Sequence, residues 1–163
     1  MRRIHKARLA EERDFCYEGR KERMDMDIED LIHHRGRMRL IGEILTVDGD
    51  RAVTSSVVTE GWPLCSGGTV DALVTIELVA QTAAVIEGWK RRQTKRGGAK
   101  GWLVGIKRAD FCIPRIPLLA TLVTEARRDC AMEGYAVFEG TVNLGTERVA
   151  VVSIQSFRPE EER

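Results

Sequence analysis

Glu77 and Gln81 stand inside a run, Val70 to Arg92, that is apolar almost all the way round. A helix without a clear polar face belongs in the middle of a fold. A carboxylate there is costly unless it is paired, hydrogen-bonded or protonated. Buried carboxylates with displaced pKa values cluster where protons are transferred. At about 100° per residue, Glu77 and Gln81 share a stripe with Ala84 and Gly88, whose small side chains leave room beside the polar pair for a ligand. Desolvation should raise the pKa of Glu77 and favour a protonated form able to donate to a leaving group.

Other residues of the right type lie close by in sequence. Gly67 and Gly68 precede the helix, where backbone N–H groups beside its positive end would polarise a carbonyl. Thr69 or Ser66 is placed to cap the helix, and Asp71 falls in its first turn, where the dipole favours a negative charge. His33 and His34 end a short helix. A general base near neutral pH is most often a histidine, although a histidine at a helix end also caps carbonyls. Gln81 can equally serve neighbouring backbone. Cys65 has no basic neighbour in sequence to make it a thiolate and reads as inert.

Lys90, Arg91, Arg92, Lys95, Arg96 and Lys100 form one dense basic run after the helix, a patch able to steer an acidic carrier protein. The formal net charge of the 163-residue chain is only +1, and the run lacks aromatic interleaving beyond Trp89 and Trp102. No nucleic acid is expected as a partner. Cys16, Cys65, Cys112 and Cys130 form no CxxC pair, so neither a metal site nor a disulfide framework is expected, and reduced thiols point to the cytoplasm. No apolar run reaches the roughly 20 residues a membrane span needs.

These residues need a scaffold that buries the helix. Residues 1–27 alternate charges of both signs and read as a solvated extension; 28–163 read as one domain, with a short helix at Ile28–Ile32. Strand-like runs follow at Met38–Val47 and Arg51–Thr59, joined by an Asp48-Gly49-Asp50 turn. After the central helix come Trp102–Phe111, Leu118–Arg127, Tyr135–Val142 and Val149–Phe157, the last two joined through Gly145-Thr146. Six strands and one buried helix are satisfied by a single antiparallel sheet wrapped round the helix, an α+β fold. Such a sheet leaves edges, so edge-to-edge dimerisation is expected, with Trp102–Phe111 pairing across the dimer.

Three blocks in this order resemble the hotdog-fold 3-hydroxyacyl-[acyl-carrier-protein] dehydratases, most closely the branch associated with aryl-polyene-type lipid clusters. His34-Arg35-Gly36-Arg37-Met38-Arg39-Leu40-Ile41 resembles the family's "PHR" entry to the first strand. Ile76-Glu77-Leu78-Val79-Ala80-Gln81 resembles its "IExxAQ" helix, and Gly105-Ile106-Lys107-Arg108-Ala109-Asp110-Phe111-Cys112-Ile113-Pro114 its "GIxxARFxxP" strand. The resemblance implies a hotdog fold and elimination of water from a 3-hydroxyacyl thioester, without a cofactor. Carrier protein or coenzyme A would bear the acyl group, and a second hotdog subunit, identical or different, would complete the dimer. The family's helix carboxylate maps to Glu77 and its helix amide to Gln81. Its catalytic loop histidine maps near Trp62-Pro63-Leu64-Cys65, where there is none, and the branch's "GxPAW" segment is replaced by Val70-Asp71-Ala72-Leu73. Glu77 would then donate to the leaving hydroxyl, His34 or water would take the α-proton, and Gly67 or Gly68 would polarise the carbonyl. Two alternatives stand beside this reading: a non-catalytic acyl-binding partner of an active dehydratase, and a hotdog thioesterase that uses Glu77 and water.

Overall fold

The computed structural model describes residues 27–94 and 101–159. In chain order it contains α1 (Ile28–Leu31), a 3-10 turn (Gly36–Met38), β1 (Glu43–Val47), β2 (Arg51–Val57), β3 (Cys65–Ser66), β4 (Thr69–Asp71) and α2 (Val74–Thr94). There follow β5 (Trp102–Phe111), β6 (Arg115–Pro117), β7 (Thr121–Met132), β8 (Tyr135–Leu144) and β9 (Glu147–Phe157). Six strands form one antiparallel sheet in the order β1-β2-β7-β8-β9-β5, and β3, β4 and β6 make a small second sheet. The large sheet packs on α2 through β2, β7, β8 and β9. This is the hotdog arrangement.

Alternation along the strands sets which side chains meet the helix. Ala52, Thr54 and Ser56 on β2 and Leu122, Thr124 and Ala126 on β7 are buried, as are Phe138 and Val142 on β8 and Val152 and Ile154 on β9. They close over Leu78, Val79, Val85 and Ile86 of α2. One polar bridge crosses this interface. Thr82 Oγ1 donates to Leu78 O (2.8 Å), so the 2.8 Å contact between the Thr54 and Thr82 hydroxyls must be donated by Thr54. Ser56 Oγ and Thr124 Oγ1, buried on the same face, have no hydrogen-bond partner among the described residues.

The hairpins follow their turn residues. Asp48 Oδ1 accepts from Asp50 N and Arg51 N, both at 2.8 Å, which fixes the β1–β2 turn. Gly145 (φ 59°) opens the β8–β9 turn. The strand expected at Leu118–Arg127 runs from Thr121 to Met132, and two further boundaries that bear on the site differ from the sequence expectation. The first strand begins at Glu43, because Leu40 and Ile41 give their N–H groups to a side chain of α2 instead of to a strand. The helix begins at Val74, because Thr69–Asp71 is β4, paired with β3 and β6. Asp71 therefore lies outside the helix; its Oδ1 accepts from Leu73 N at 3.0 Å in the turn before it. Thr69 donates to Ser66 O across the β3–β4 turn, so neither residue caps the helix. No helix among the described residues is long and apolar enough to cross a membrane.

Candidate active site

Glu77 sits in the first turn of α2 with its side chain 28% exposed. His34 Nε2 lies 3.2 Å from Glu77 Oε1, and Gln81 Nε2 donates to the same oxygen at 2.8 Å. No hydrogen bond from a described residue reaches Oε2. Burial opposes ionisation of Glu77, but the bonds from His34 and Gln81 and the charge His34 carries when protonated outweigh it, holding the carboxyl below its usual value of 4.5. This reverses the sequence expectation of a raised pKa. Desolvation is the largest single influence on Glu77, as expected, but the donors around it together prevail.

Gln81, fully buried, uses its whole hydrogen-bonding capacity. Oε1 accepts from Leu40 N (2.9 Å) and Ile41 N (3.4 Å), while Nε2 donates to Met38 O (2.5 Å) and to Glu77. The amide thus substitutes for a strand partner to residues 38–41 and orients the carboxylate in the same act. His34 is positioned by its neighbour: Arg35 donates to Ile32 O (2.6 Å), His34 O (2.9 Å) and Glu29 O (2.7 Å), capping α1 and pinning the chain that carries the imidazole. His34 Nδ1 is buried without a hydrogen-bond partner among the described residues.

The pair faces a cavity of about 470 Å³ between α2 and the sheet. Glu77, Ala80, Ala83, Ala84, Glu87 and Arg91 supply its helix side, a stripe at helical spacing whose alanines leave the space. Phe138 and Ile154 wall it on the sheet, and Trp102 and Leu103 border it from edge strand β5. A cavity of this size, apolar along its length with polar groups at its ends, suits an acyl chain.

The model for the ApeP-like family, described as ApeP dehydratase, matches residues 26–163. The chain belongs to the ApeP-like dehydratase family. A chain of the dehydratase heterocomplex ApeI:P from Xenorhabdus doucetiae is 18% identical and superposes with a TM-score of 0.77 over 83% of this chain and 93% of that one. A hypothetical thioesterase with coenzyme A from Streptococcus pneumoniae is 14% identical, with a TM-score of 0.57 over 74% of this chain and 88% of that one. The PaaI protein from the E. coli phenylacetic acid degradation operon is 18% identical, with a TM-score of 0.57 over 71% of this chain and 81% of that one. At these identities the three structures carry the fold alone. No curated protein sequence matches the chain.

Of the site residues expected from sequence, this ApeP-like structure brings Glu77, His34 and Gln81 together and separates the rest. Gly67 and Gly68, with φ of 59° and 74°, are the two-residue turn of the β3–β4 hairpin. They do not line the cavity, and β4 stands between them and the helix start. Gly88 makes room for backbone instead of ligand, since a Cβ there would overlap the Leu31 carbonyl where α1 crosses α2. Lys90 pairs with Asp50 (2.9 Å), Arg92 with Asp30 (3.5 Å), and Arg91 donates to Leu31 O (3.1 Å), so these three basic residues already have partners within the fold. Lys95 and Arg96 lie outside the described residues. Trp62, near the position where a loop histidine was sought, is buried in the core. Cys65, Cys112 and Cys130 are free thiols.

Sequence reading missed the cavity's other end. Glu87 was legible as a later member of the helical stripe that starts at Glu77, and Arg91 as its continuation. Arg128 on β7 and Arg158 after β9 reach the same place only through the fold.

Proposed function

We propose that the chain eliminates water from a 3-hydroxyacyl thioester, with Glu77 and His34 as its catalytic pair. The contact between His34 Nε2 and Glu77 Oε1 at 3.2 Å, beside an apolar cavity, is the observation that carries this reading. Glu77, ionised at rest, removes the C2 proton onto its unoccupied Oε2. His34 gives its Nε2 proton to the C3 hydroxyl. The C–O bond breaks, water leaves and a C2–C3 double bond remains. The released water then carries the proton from Glu77 Oε2 back to His34 Nε2 and closes the cycle. The roles are reversed from the sequence expectation because the bonds to Glu77 favour its carboxylate form. The elimination needs proton transfers only, so no cofactor enters the proposal.

The acyl group arrives on carrier protein or coenzyme A, and the basic run of sequence holding Lys90, Arg91, Arg92, Lys95 and Arg96 attracts an acidic carrier. β5 is the partner edge: Trp102, Leu103, Val104 and Ile106 are exposed on a strand whose outer side is unpaired among the described residues. A second hotdog subunit, identical or different, covers it. Free thiols agree with a cytoplasmic setting. The competing reading, an acyl-binding subunit without chemistry of its own, is favoured by Trp62, which fills core near the place where the family keeps its loop histidine. The test is hydration of a crotonyl thioester by the purified chain, alone and with carrier-loaded substrate. Turnover supports the catalytic reading; binding without turnover establishes the other.

A further inference from the structure

At the end of the cavity away from Glu77, Glu87 Oε1 is bonded by Arg128 and Glu87 Oε2 lies 3.4 Å from Arg158 NH1. One carboxylate thus serves two guanidinium groups. Arg91 and Glu133 also line this end, but Arg128 and Arg158 have only the one carboxylate of Glu87 between them inside the cavity. Arg128 is more enclosed than Glu87 or Arg158, with its side chain 15% exposed. Its guanidinium lies 5.5 Å from the centre of the Phe138 ring, and its Nε is buried without a hydrogen-bond partner among the described residues. The nearest further acid, Asp50, is 3.7 Å from that Nε but is itself exposed and paired with Lys90 at 2.9 Å. Burying a guanidinium with incomplete hydrogen bonding is costly.

The placement of Arg158 is built rather than incidental. It follows the last strand, yet its N–H donates to Gly134 O at 2.8 Å in the β7–β8 turn. Gly134 has a φ of 82°, and a Cβ there would collide with the Arg158 carbonyl, so the turn admits only glycine beside this residue. Glu77 and Glu87 are ten residues apart on α2, which puts the two ends about 15 Å apart along the helix. An acyl cavity that ends on charged groups disfavours a plain alkyl tail there, because it would strip those groups of water without replacing their bonds.

We propose that the Arg128–Arg158 end of the cavity is an anion subsite, which holds an oxyanion carried by the thioester substrate about 15 Å from the carbons that react at Glu77. Two parts of such a substrate carry an oxyanion: the phosphate of the carrier's phosphopantetheine arm, and a carboxylate at the far end of the acyl chain. The inference rests on the acyl-thioester reading given above.

The test uses the full chain with four enoyl thioesters. Crotonyl and ω-carboxy long-chain enoyl N-acetylcysteamine thioesters lack phosphate, a plain long-chain enoyl thioester serves as the isostere of the latter, and crotonyl phosphopantetheine supplies the phosphate. Affinity and hydration are measured for the unmodified chain, Arg158→Gln, Arg128→Gln and Glu87→Gln, with unfolding followed in parallel. Arg158→Gln lies at the end of the described chain and keeps the test alive where Arg128→Gln fails to fold. The expected result is a preference of about tenfold for one anionic thioester over its neutral counterpart, roughly the size of one charge-assisted hydrogen bond. Arg158→Gln and Arg128→Gln remove that preference and leave the neutral crotonyl thioester unchanged, while Glu87→Gln, which frees both guanidinium groups, strengthens it. A preference for the ω-carboxy chain assigns the anion to the acyl group; a preference for phosphopantetheine assigns it to the arm. Equal use of charged and neutral thioesters by all four proteins overturns the subsite and leaves the acyl-thioester reading standing. Failure of every thioester to bind or react overturns both.

Discussion

Replacing Gln81 by leucine tests whether one amide holds the site and its scaffold together. Leucine approximates the volume but removes four hydrogen bonds, among them the buried one from Leu40 N to Oε1 at 2.9 Å and the part-buried one from Nε2 to Met38 O at 2.5 Å. Leu40 is buried, so its N–H would be left without an acceptor. At about 1–3 kcal/mol for each orphaned group, and with solvent replacing the bond to half-exposed Glu77, the loss comes to about 4 kcal/mol. For a chain of this length that lowers Tm by roughly 12 °C. Gln81→Glu separates the two functions of the amide. It keeps an acceptor for Leu40 and Ile41 but sets a second carboxyl one turn from Glu77, so one of the two retains its proton and the apparent pKa of the pair rises. Thermal and urea unfolding read the stability, and a pH titration of the Glu77 carboxyl by NMR reads the second effect. A stability loss below about 1 kcal/mol for Gln81→Leu would refute the argument, since it would mean that residues 38–41 do not depend on the amide.

Thr124→Val removes a buried hydroxyl that has no partner among the described residues while keeping its shape, and should stabilise the fold by about 1 kcal/mol in urea unfolding; a net loss would show that the hydroxyl is bonded in solution. Gly88→Ala drives a Cβ into the Leu31 carbonyl and should cost about 2 kcal/mol. It should also slow turnover, because the same chain carries His34 onto Glu77, and unchanged stability would place α1 elsewhere. Glu77 is expected to contribute pH-dependent stability with a defined sign. Its folded pKa lies below the ordinary value of 4.5, so the contribution is present above that value and is lost as pH falls through the folded one. The stability gap between the unmodified chain and Glu77→Gln should therefore narrow on acidification below pH 4.5; a gap that widens would mean the carboxyl is raised.

The six long strands and the buried helix were legible because their apolar residues keep strand and helix periods, and because Asp48-Gly49-Asp50 and Gly145-Thr146 are strong turn signals. The short sheet of β3, β4 and β6 was not. Thr69-Val70-Asp71 continues the apolar run of the helix, and only pairing with Arg115–Pro117, far along the chain, makes it a strand. That pairing moved the helix start and turned Gly67 and Gly68 from ligand donors into a hairpin turn. At the site, Glu77 and Gln81 stood out as polar residues on an apolar helix. The pKa direction of Glu77 did not, since burial is readable from the sequence but the donors that outweigh it, His34 and Gln81, act through contacts the fold creates. Nothing in the sequence separates Arg128 and Arg158 from ordinary surface charges, since one lies within a strand and the other just after the last one.

The most direct test of the account is the rate at which Glu77→Gln and His34→Ala convert a 3-hydroxyacyl thioester to its enoyl product. Glutamine keeps the shape of Glu77 and can still meet Gln81, but it neither accepts the C2 proton nor returns one to His34. The account predicts a fall in kcat of about 10²–10⁴-fold for each variant. The two losses should not add, because both residues serve one proton cycle. Turnover by Glu77→Gln at the rate of the unmodified chain, with both proteins folded, would contradict it.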